Sequence, residues 1–346
     1  MAPIWFPWAV LRAPDAIREN ALAGPTLDTA QRLDDVATAA LGGAETPEGA
    51  VPIRTPLFEG AVFSCRGRGY ARYNEDAAFV VQGRAGDVYA AVLDQAGGLG
   101  GDRRGEASAL AAETIFEALK ARYGAALHDR ADDAMNDWTS GLANNRMPND
   151  RAATDRAATD RAAIERDREK ASASDVACLT GAYAKAHDRL VSRRQGEVTT
   201  AISLRAHSLA RGGSAALLAV LVNSGDSGAF LLDSAGKVKE RTQLQEWTRS
   251  PQVGALTHAI GLVPEGPAPE SYVWEVEEGD WLLLCSDGLL DAGLGAAGVA
   301  KILKLSTSAE EAANRLCLRI LRRMVFLLAK PDNLSVVLLR ALAQRG

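Results

Sequence analysis

Short apolar runs alternate with amphipathic stretches from about residue 57 onward. The runs with the length and composition of β-strands are Ala77–Gln82, Val88–Leu93, Ser214–Asn223, Ala229–Leu232, Tyr272–Val276, Trp281–Cys285 and Leu334–Leu339. The stretches whose apolar residues recur every three or four positions predict helices over Gly105–Tyr123, Val176–Arg193 and Ala309–Leu328. The pattern therefore predicts groups of strands with helices between them.

Two regions depart from this pattern. Residues 1 to about 55 are rich in Pro, Ala, Gly and scattered charge, which predicts an N-terminal extension of unknown role outside the core. Within residues 130–175, Asp-Arg-Ala-Ala recurs at Asp150, Asp155 and Asp160. A five-residue step advances about 140° around a helix, so these alanines form no single apolar face. We expect a surface insertion there, inside one domain that spans residues 56–346.

Composition and charge exclude several classes of binding partner and cellular environment. With 346 residues, of which 47% are hydrophobic, the chain is long enough to bury a large core. No apolar run approaches the roughly 20 residues that cross a bilayer, so we expect no membrane partner. The four cysteines form no CxxC pair, which favours the reducing cytoplasm. The net charge of −5 offers no basic surface for nucleic acid.

Five aspartates border the predicted strands, namely Asp76, Asp94, Asp226, Asp287 and Asp332. Each one alone is more typical of a turn or a cap than of a ligand. If four of them met within about 4 Å without a cation, each close pair would repel by about 4 kcal/mol at an effective dielectric constant of 20. Their convergence would therefore require a cation. A donor set made only of oxygens favours Mg²⁺ or Mn²⁺.

The motifs around these aspartates resemble, in type and order, those of the metal-dependent protein phosphatases of type 2C, the PPM family. They are Asn74-Glu75-Asp76-Ala77, Asp94-x-x-Gly97-Gly98, Gly105-Glu106-Ala107-Ser108, Gly212-Gly213-Ser214, Gly225-Asp226-Ser227, Cys285-Ser286-Asp287-Gly288-Leu289 and Asp332-Asn333-Leu334. The resemblance covers about residues 57–340. It implies the α+β class and a four-layer α-β-β-α sandwich, in which helices flank two antiparallel sheets.

The resemblance also implies a centre of two Mg²⁺ or Mn²⁺ ions. Asp76 would bind one ion, Asp94 would bridge both, and the backbone carbonyl of Gln95 would take the place of a glycine carbonyl. Asp287 and Asp332 would complete the centre. Together with the metals, the four aspartates would form the catalytic centre.

By the same resemblance, Asp226 would bind a weaker third ion. The implied activity is a serine/threonine protein phosphatase, in which a metal-bridging hydroxide attacks the phosphorus of a phosphomonoester in line and no phosphoenzyme forms. The expected partners are phosphoserine and phosphothreonine proteins and an opposing protein kinase in a signalling role. We expect the chain to be a monomer.

Some positions depart from the family pattern. Gln95 replaces the usual glycine, and Leu99 stands where a histidine often supplies a proton to the leaving group. Loss of such a general acid costs about 10² to 10⁴ in rate. The arginine that binds the substrate phosphate usually lies three residues before Asn74, where this chain has Ala71. Its neighbour Arg72 is the candidate substrate-binding residue.

The stretch Thr242–Leu256 is also shorter than the flap usual in the family. These departures leave an alternative open, a catalytically weak pseudophosphatase that acts as a phosphoprotein- or kinase-binding module. A third hypothesis is an unrelated metal hydrolase such as a nuclease, which the acidic charge disfavours.

Overall fold

The computed structural model describes residues 38–42, 49–67, 74–83, 86–96, 105–123, 150–211, 214–246 and 255–343, with the backbone alone for 38–42, 150–167, 209–211 and 214–216. Within these residues, two six-stranded antiparallel sheets lie face to face, and helices cover the outer side of each. The chain is therefore a four-layer α-β-β-α sandwich, which confirms the predicted fold class.

The first sheet contains, in spatial order, β1 (Thr38–Gly42), β4 (Asp76–Gln82), β5 (Val88–Gln95), β6 (Thr199–Arg211), β7 (Ser214–Ser224) and β10 (Glu270–Val276). The second contains β2 (Val51–Arg54), β3 (Phe58–Cys65), β12 (Leu334–Ala341), β11 (Trp281–Cys285), β8 (Gly228–Leu232) and β9 (Val238–Arg241). Helices α1 (Glu106–Tyr123) and α2 (Asp150–Ser192) pack on the first sheet, whereas α4 (Gly295–Lys304) and α5 (Ala309–Val325) pack on the second. The short helix α3 (Asp287–Leu290) follows β11.

The central strands are apolar on both faces because each sheet is covered on both sides. In β5, Val88, Ala90 and Val92 belong to the core between the two sheets. Tyr89 and Leu93, on the opposite face, pack with the residues of α1 and α2. Strand β11 follows the same rule, which explains why these segments are nearly continuous apolar runs.

The sheets begin before residue 56. Strand β1, at residues 38–42, pairs with β4, and β2, at residues 51–54, pairs with β3. Both strands lie in the segment predicted to be an extension outside the core, and that prediction is wrong for these residues because strand pairing overrides their weak local pattern. Residues 1–37 and 43–48 lie outside the described part of the chain.

The predicted surface insertion is also partly wrong. Residues 124–149 lie outside the described part, but residues 150–192 form one continuous helix, α2. Ser172 and Asp175, which fall inside the predicted insertion, are buried. Farther along, α2 buries residues at helical spacing, including Leu179, Tyr183 and Leu190, against the first sheet. The helix is longer than predicted because its alanine- and arginine-rich first part has high helix propensity even without an apolar face.

The last predicted helix ends earlier than expected. Helix α5 stops at Val325 rather than Leu328, and the residues that follow are strongly exposed. Leu327 has a positive φ of 55°, which a helix does not allow. The side chain of Arg323 then donates hydrogen bonds to the carbonyls of Ala292 and Leu328, which fixes the chain as it turns toward Asp332.

Candidate metal centre

Strand pairing brings the predicted aspartates to one end of the sandwich. In the first sheet, Asp76 begins β4 directly opposite Asp94 near the end of β5. In the second sheet, Cys285 at the end of β11 pairs with Val336 near the start of β12. Asp287 and Asp332 therefore lie just beyond the same end of that strand pair, because neighbouring antiparallel strands bring the end of one beside the start of the other.

Hydrogen bonds join the two sheets at this end. The hydroxyl of Ser286 donates to Asp76 Oδ2 at 2.8 Å and accepts the backbone N–H of Ser335 at 3.0 Å. The backbone N–H of Glu75 donates to Asn333 Oδ1 at 3.1 Å. These bonds connect residues at the start of β4 to the segments that carry Asp287 and Asp332.

A second set of hydroxyl contacts lies behind them. The hydroxyl oxygens of Ser64 and Ser335 are 2.7 Å apart, and the side-chain amide of Asn74 donates to the Ser64 hydroxyl at 2.8 Å. All three side chains are buried. The backbone around the aspartates is therefore fixed by satisfied polar groups.

The Gln95 side chain forms a specific hydrogen bond beside the site. Its Oε1 accepts the backbone N–H of Ala107 at 2.9 Å, which satisfies a donor in the first turn of α1. The hydroxyl of Thr199 donates to the carbonyl of the preceding residue, Asp94, at 2.9 Å. The glutamine that replaces the family's glycine is thus accommodated by the start of a helix.

Gly288 explains why a glycine follows Asp287. A Cβ atom at this position would lie 1.8 Å from the backbone oxygen of Asn333. This approach of α3 to the segment before β12 is possible only without a side chain. The Asp-Gly motif therefore sets the separation between Asp287 and Asp332.

Burial and neighbouring carboxylates raise the pKa values of Asp76, Asp94, Asp226 and Asp287. The pKa of Asp76 rises to about 8, mainly because of burial and with a smaller contribution from the charges of Asp287 and Asp332, although the bond from Ser286 opposes the shift. Burial is also the main cause that raises the pKa of Asp94, followed by the charges of Asp76, Asp287 and Asp226. The charges of Asp287 and Asp332 therefore reach Asp76, and those of Asp76, Asp226 and Asp287 reach Asp94.

Asp226 and Asp287 show the same effect. Burial and the charge of Asp287 raise the pKa of Asp226 to about 7. Burial and the charge of Asp332 raise the pKa of Asp287.

A lysine enters this cluster from the segment before β12. Lys330 Nζ lies 2.8 Å from Asp332 Oδ2, 3.6 Å from Asp287 Oδ2 and 3.5 Å from Asp291 Oδ2. Burial alone would lower the pKa of Lys330, but the hydrogen bond to Asp332 and the surrounding carboxylates raise it above its ordinary value. The ammonium group therefore offsets part of the negative charge.

The chemistry of the donors fits a hard divalent cation. Asp76 Oδ1 is buried and has no hydrogen-bond partner, which is costly for a carboxylate oxygen unless a cation binds it. The other predicted ligands are also oxygens, as Mg²⁺ and Mn²⁺ prefer. In the part of the chain that the structure describes, however, no three Asp, Glu, His or Cys side chains are already grouped so as to hold one ion. Metal binding would thus require side-chain movement at the cluster.

Several predicted residues lie outside the described part of the chain. They are the substrate-binding candidate Arg72, its neighbour Ala71, Leu99, and residues 247–254 of the predicted short flap. Conversely, sequence reasoning missed Ser286, Lys330 and Asp291. Ser286 and Lys330 are adjacent to or two residues from predicted ligands, so their motifs, Cys-Ser-Asp-Gly and Lys-Pro-Asp-Asn, were the available signals.

Several solved protein structures share the fold of this chain. No protein-family profile and no curated protein sequence matches the chain. PppA, described as a key regulatory component of T6SS in Pseudomonas aeruginosa, matches with a TM-score of 0.53 and 21% identity over 83% of this chain and 99% of its own. The Mycobacterium tuberculosis serine/threonine phosphatase PstP/Ppp matches with a TM-score of 0.52 and 21% identity over 83% of this chain and 100% of its own.

A structure of the PstP catalytic domain in complex with 2 manganese ions matches with a TM-score of 0.51 and 20% identity, over 83% of this chain and 99% of the domain. Among the described residues of the present chain, no helix combines the length and the apolar character needed to cross a membrane. Both sheets, their flanking helices and the chain coverage agree with these phosphatase structures. The chain thus has the fold of the type 2C serine/threonine phosphatases, as its motifs predict.

Proposed function

We propose that this chain is a metal-dependent serine/threonine protein phosphatase that hydrolyses phosphomonoesters. The observation that carries the proposal is the meeting of aspartates from both sheets at one end of the sandwich. Burial is the main cause that raises the pKa of Asp76 to about 8 and that of Asp226 to about 7, and the charges of neighbouring aspartates add to both shifts. A site of this kind is costly to maintain unless cations bind there.

The proposed ligands of two Mg²⁺ or Mn²⁺ ions are Asp76, Asp94, the backbone carbonyl of Gln95, Asp287 and Asp332. Asp226 would hold a weaker third ion. The phosphatase domain bound to 2 manganese ions supports this assignment, because it shares the fold. When bound, such ions supply positive charge to the phosphoryl oxygens and increase the acidity of water.

The chain's own residues would orient the metal-binding carboxylates and affect their protonation. The Ser286 hydroxyl fixes one oxygen of Asp76 and leaves Oδ1 available. The side-chain oxygen of Asn333 accepts a hydrogen bond from the backbone N–H of Glu75, which links the start of β4 to the segment that carries Asp332. The pKa values of Asp94 and Asp287 are raised, so any proton on either carboxyl group must leave before both can bind cations.

The proposed substrates are phosphoserine and phosphothreonine proteins, since the structural neighbours include serine/threonine phosphatases. Arg72 stays a prediction for binding of the substrate phosphate. An opposing kinase, a signalling role, a monomeric state and a cytoplasmic location also stay predictions.

The direct test is hydrolysis of p-nitrophenyl phosphate and of a phosphothreonine peptide with Mn²⁺, with Mg²⁺ and with EDTA. We expect metal-dependent turnover that falls by roughly 10²-fold or more in Asp287→Asn, because a proposed ligand is lost. Asp188→Asn, at an exposed position of α2, is the matched control and should retain full turnover. Unchanged metal-dependent activity in Asp287→Asn, with the fold intact by circular dichroism, would rule out the proposed site.

A pseudophosphatase is the second candidate, and the position of Lys330 on Asp332 favours it. In that case the chain would bind the phosphothreonine peptide but would not hydrolyse it with any divalent cation. Cleavage of DNA would instead identify the unrelated metal hydrolase.

A further inference from the structure

Of the three carboxylates near Lys330, that of Asp332 lies closest to its ammonium group. Its ammonium nitrogen is 2.8 Å from Asp332 Oδ2, whereas its distances to Asp287 and Asp291 are 3.6 Å and 3.5 Å. One cation therefore interacts with three carboxylates, two of which are proposed metal ligands. An ammonium group in this position weakens their repulsion without any metal.

Both oxygens of Asp332 are already engaged. Oδ1 accepts the backbone N–H of Asn333 at 3.0 Å, and Oδ2 accepts the bond from Lys330. The Asn333 side chain is itself held by the backbone N–H of Glu75. A divalent cation can therefore bind Asp332 Oδ2 without disturbing the backbone only if Lys330 withdraws.

Lys330 is free to withdraw. Its side chain is 57% exposed, and four methylene groups separate the ammonium from the backbone. The side chains of Asp287 and Asp332 are each 23% exposed, so both carboxyl groups can be reached from the solvent. Exchange of this ammonium for a divalent cation needs rotation of one side chain and no movement of a strand.

We infer that Lys330 is a built-in counter-ion, which holds Asp332 and Asp287 in the metal-free chain and competes there with a divalent cation. The inference rests on the proposed metal centre. It identifies Lys330 as a residue that lowers the affinity of this centre for divalent cations. It also explains how the carboxylates remain together when metal is absent. Lys330 is a positioning residue in this account and contacts no substrate.

The test is a titration of the full chain with Mn²⁺, in which electron paramagnetic resonance counts the free ion. Lys330→Gln should bind Mn²⁺ roughly three- to tenfold more tightly than the wild type, because a half-exposed competing cation is gone. Lys330→Arg keeps the charge and should bind Mn²⁺ no more tightly than the wild type. Lys304→Gln removes the same charge from an exposed position of α4 and should leave Mn²⁺ affinity unchanged.

Thermal unfolding gives a second readout that does not depend on activity. In EDTA, Lys330→Gln should unfold at a lower temperature than the wild type and than Lys304→Gln, and saturating Mn²⁺ should remove this difference. A lysine that only supports the local fold would lower the unfolding temperature equally with and without Mn²⁺. That result would overturn the inference.

The outcomes separate this inference from the proposed function. Equal or weaker Mn²⁺ binding by Lys330→Gln overturns the inference and leaves the phosphatase proposal intact. Tighter binding without hydrolysis of phosphothreonine peptide supports the inference and contradicts the phosphatase proposal. Absence of Mn²⁺ binding in both the wild type and Lys330→Gln overturns the inference and the metal centre together.

Discussion

The two carboxylate oxygens of Asp76 differ in their hydrogen bonding. Oδ2 accepts the hydroxyl of Ser286, whereas Oδ1 is buried without a partner. The opposite strand places Asp94 directly across from it. A carboxylate placed in this way is poorly solvated and repelled by its neighbour, so its protonation and cation binding depend on each other.

This dependence predicts how pH affects the metal-free chain. The pKa of Asp76 is about 8 in the folded chain and about 4 in an unfolded one, so the folded chain binds more protons between these values. The free energy of unfolding should therefore fall as pH rises from about 4 to about 8. Thermal unfolding in EDTA should show a lower midpoint at pH 8 than at pH 5.

Asp76→Asn is the comparison for this prediction. It cannot ionise, so its unfolding midpoint should fall less between pH 5 and pH 8 than that of the wild type. A wild-type midpoint that is constant or higher at pH 8 would contradict the assignment of raised pKa values.

Ser286 supports a second prediction at this scale. Its hydroxyl bonds both Asp76 and the backbone N–H of Ser335, and the residue is fully buried. Ser286→Ala leaves both groups short of a partner and should cost about 1–3 kcal/mol of unfolding free energy. Urea unfolding measures this cost, and wild-type stability in the variant would show that the bond between the sheets contributes nothing.

The control is Ser306→Ala, which removes a hydroxyl bonded to the carbonyl of Ile302 in a half-buried position two residues after the end of α4. Because that carbonyl lies near water, we expect a smaller loss of stability.

At the scale of elements, a buried charged network attaches α2 to the first sheet far from the aspartates. Asp175 of α2 accepts hydrogen bonds from Tyr123 at 2.7 Å and from Arg205 of β6. Arg205 also donates to Asp87 at 2.9 Å, and His207 Nε2 lies 3.3 Å from Asp175. One carboxylate thus connects two helices and a strand.

Asp175→Ala should destabilise the chain by about 3–5 kcal/mol, because it leaves the partly buried charge of Arg205 with Asp87 alone. Urea unfolding is the measurement, and Asp188→Ala at an exposed position of the same helix is the control. A loss below about 1 kcal/mol would mean that apolar packing alone holds α2.

The same network shows why some elements escaped prediction. Strand β6 mixes apolar residues with polar ones, including Arg205 and His207, and the distant Asp87 and Asp175 offset the charge of Arg205. By contrast, β11 is a continuous apolar run and was predicted with its observed bounds, Trp281–Cys285. Local patterns identify strands whose burial is apolar, whereas strands that depend on partners far along the chain cannot be recognised locally.

At the scale of the molecule, two sheets with aligned ends gather residues that are far apart in sequence. The hydroxyl of Ser286 and the carboxylate of Asp76, 210 residues apart, are joined by a hydrogen bond. The aspartates were predictable because each borders an apolar strand within a recognisable motif. The contact between Lys330 and Asp291 was not, because it exists only after α3 and the segment before β12 come together.

The most direct test of the account is diffraction from crystals soaked in Mn²⁺, with anomalous scattering used to place the ions. We predict two strong anomalous peaks beside Asp76, Asp94, Asp287 and Asp332, with Lys330 displaced from Asp332. Peaks elsewhere, or none at the aspartates under saturating Mn²⁺, would contradict the claim that divalent cations hold these carboxylates together.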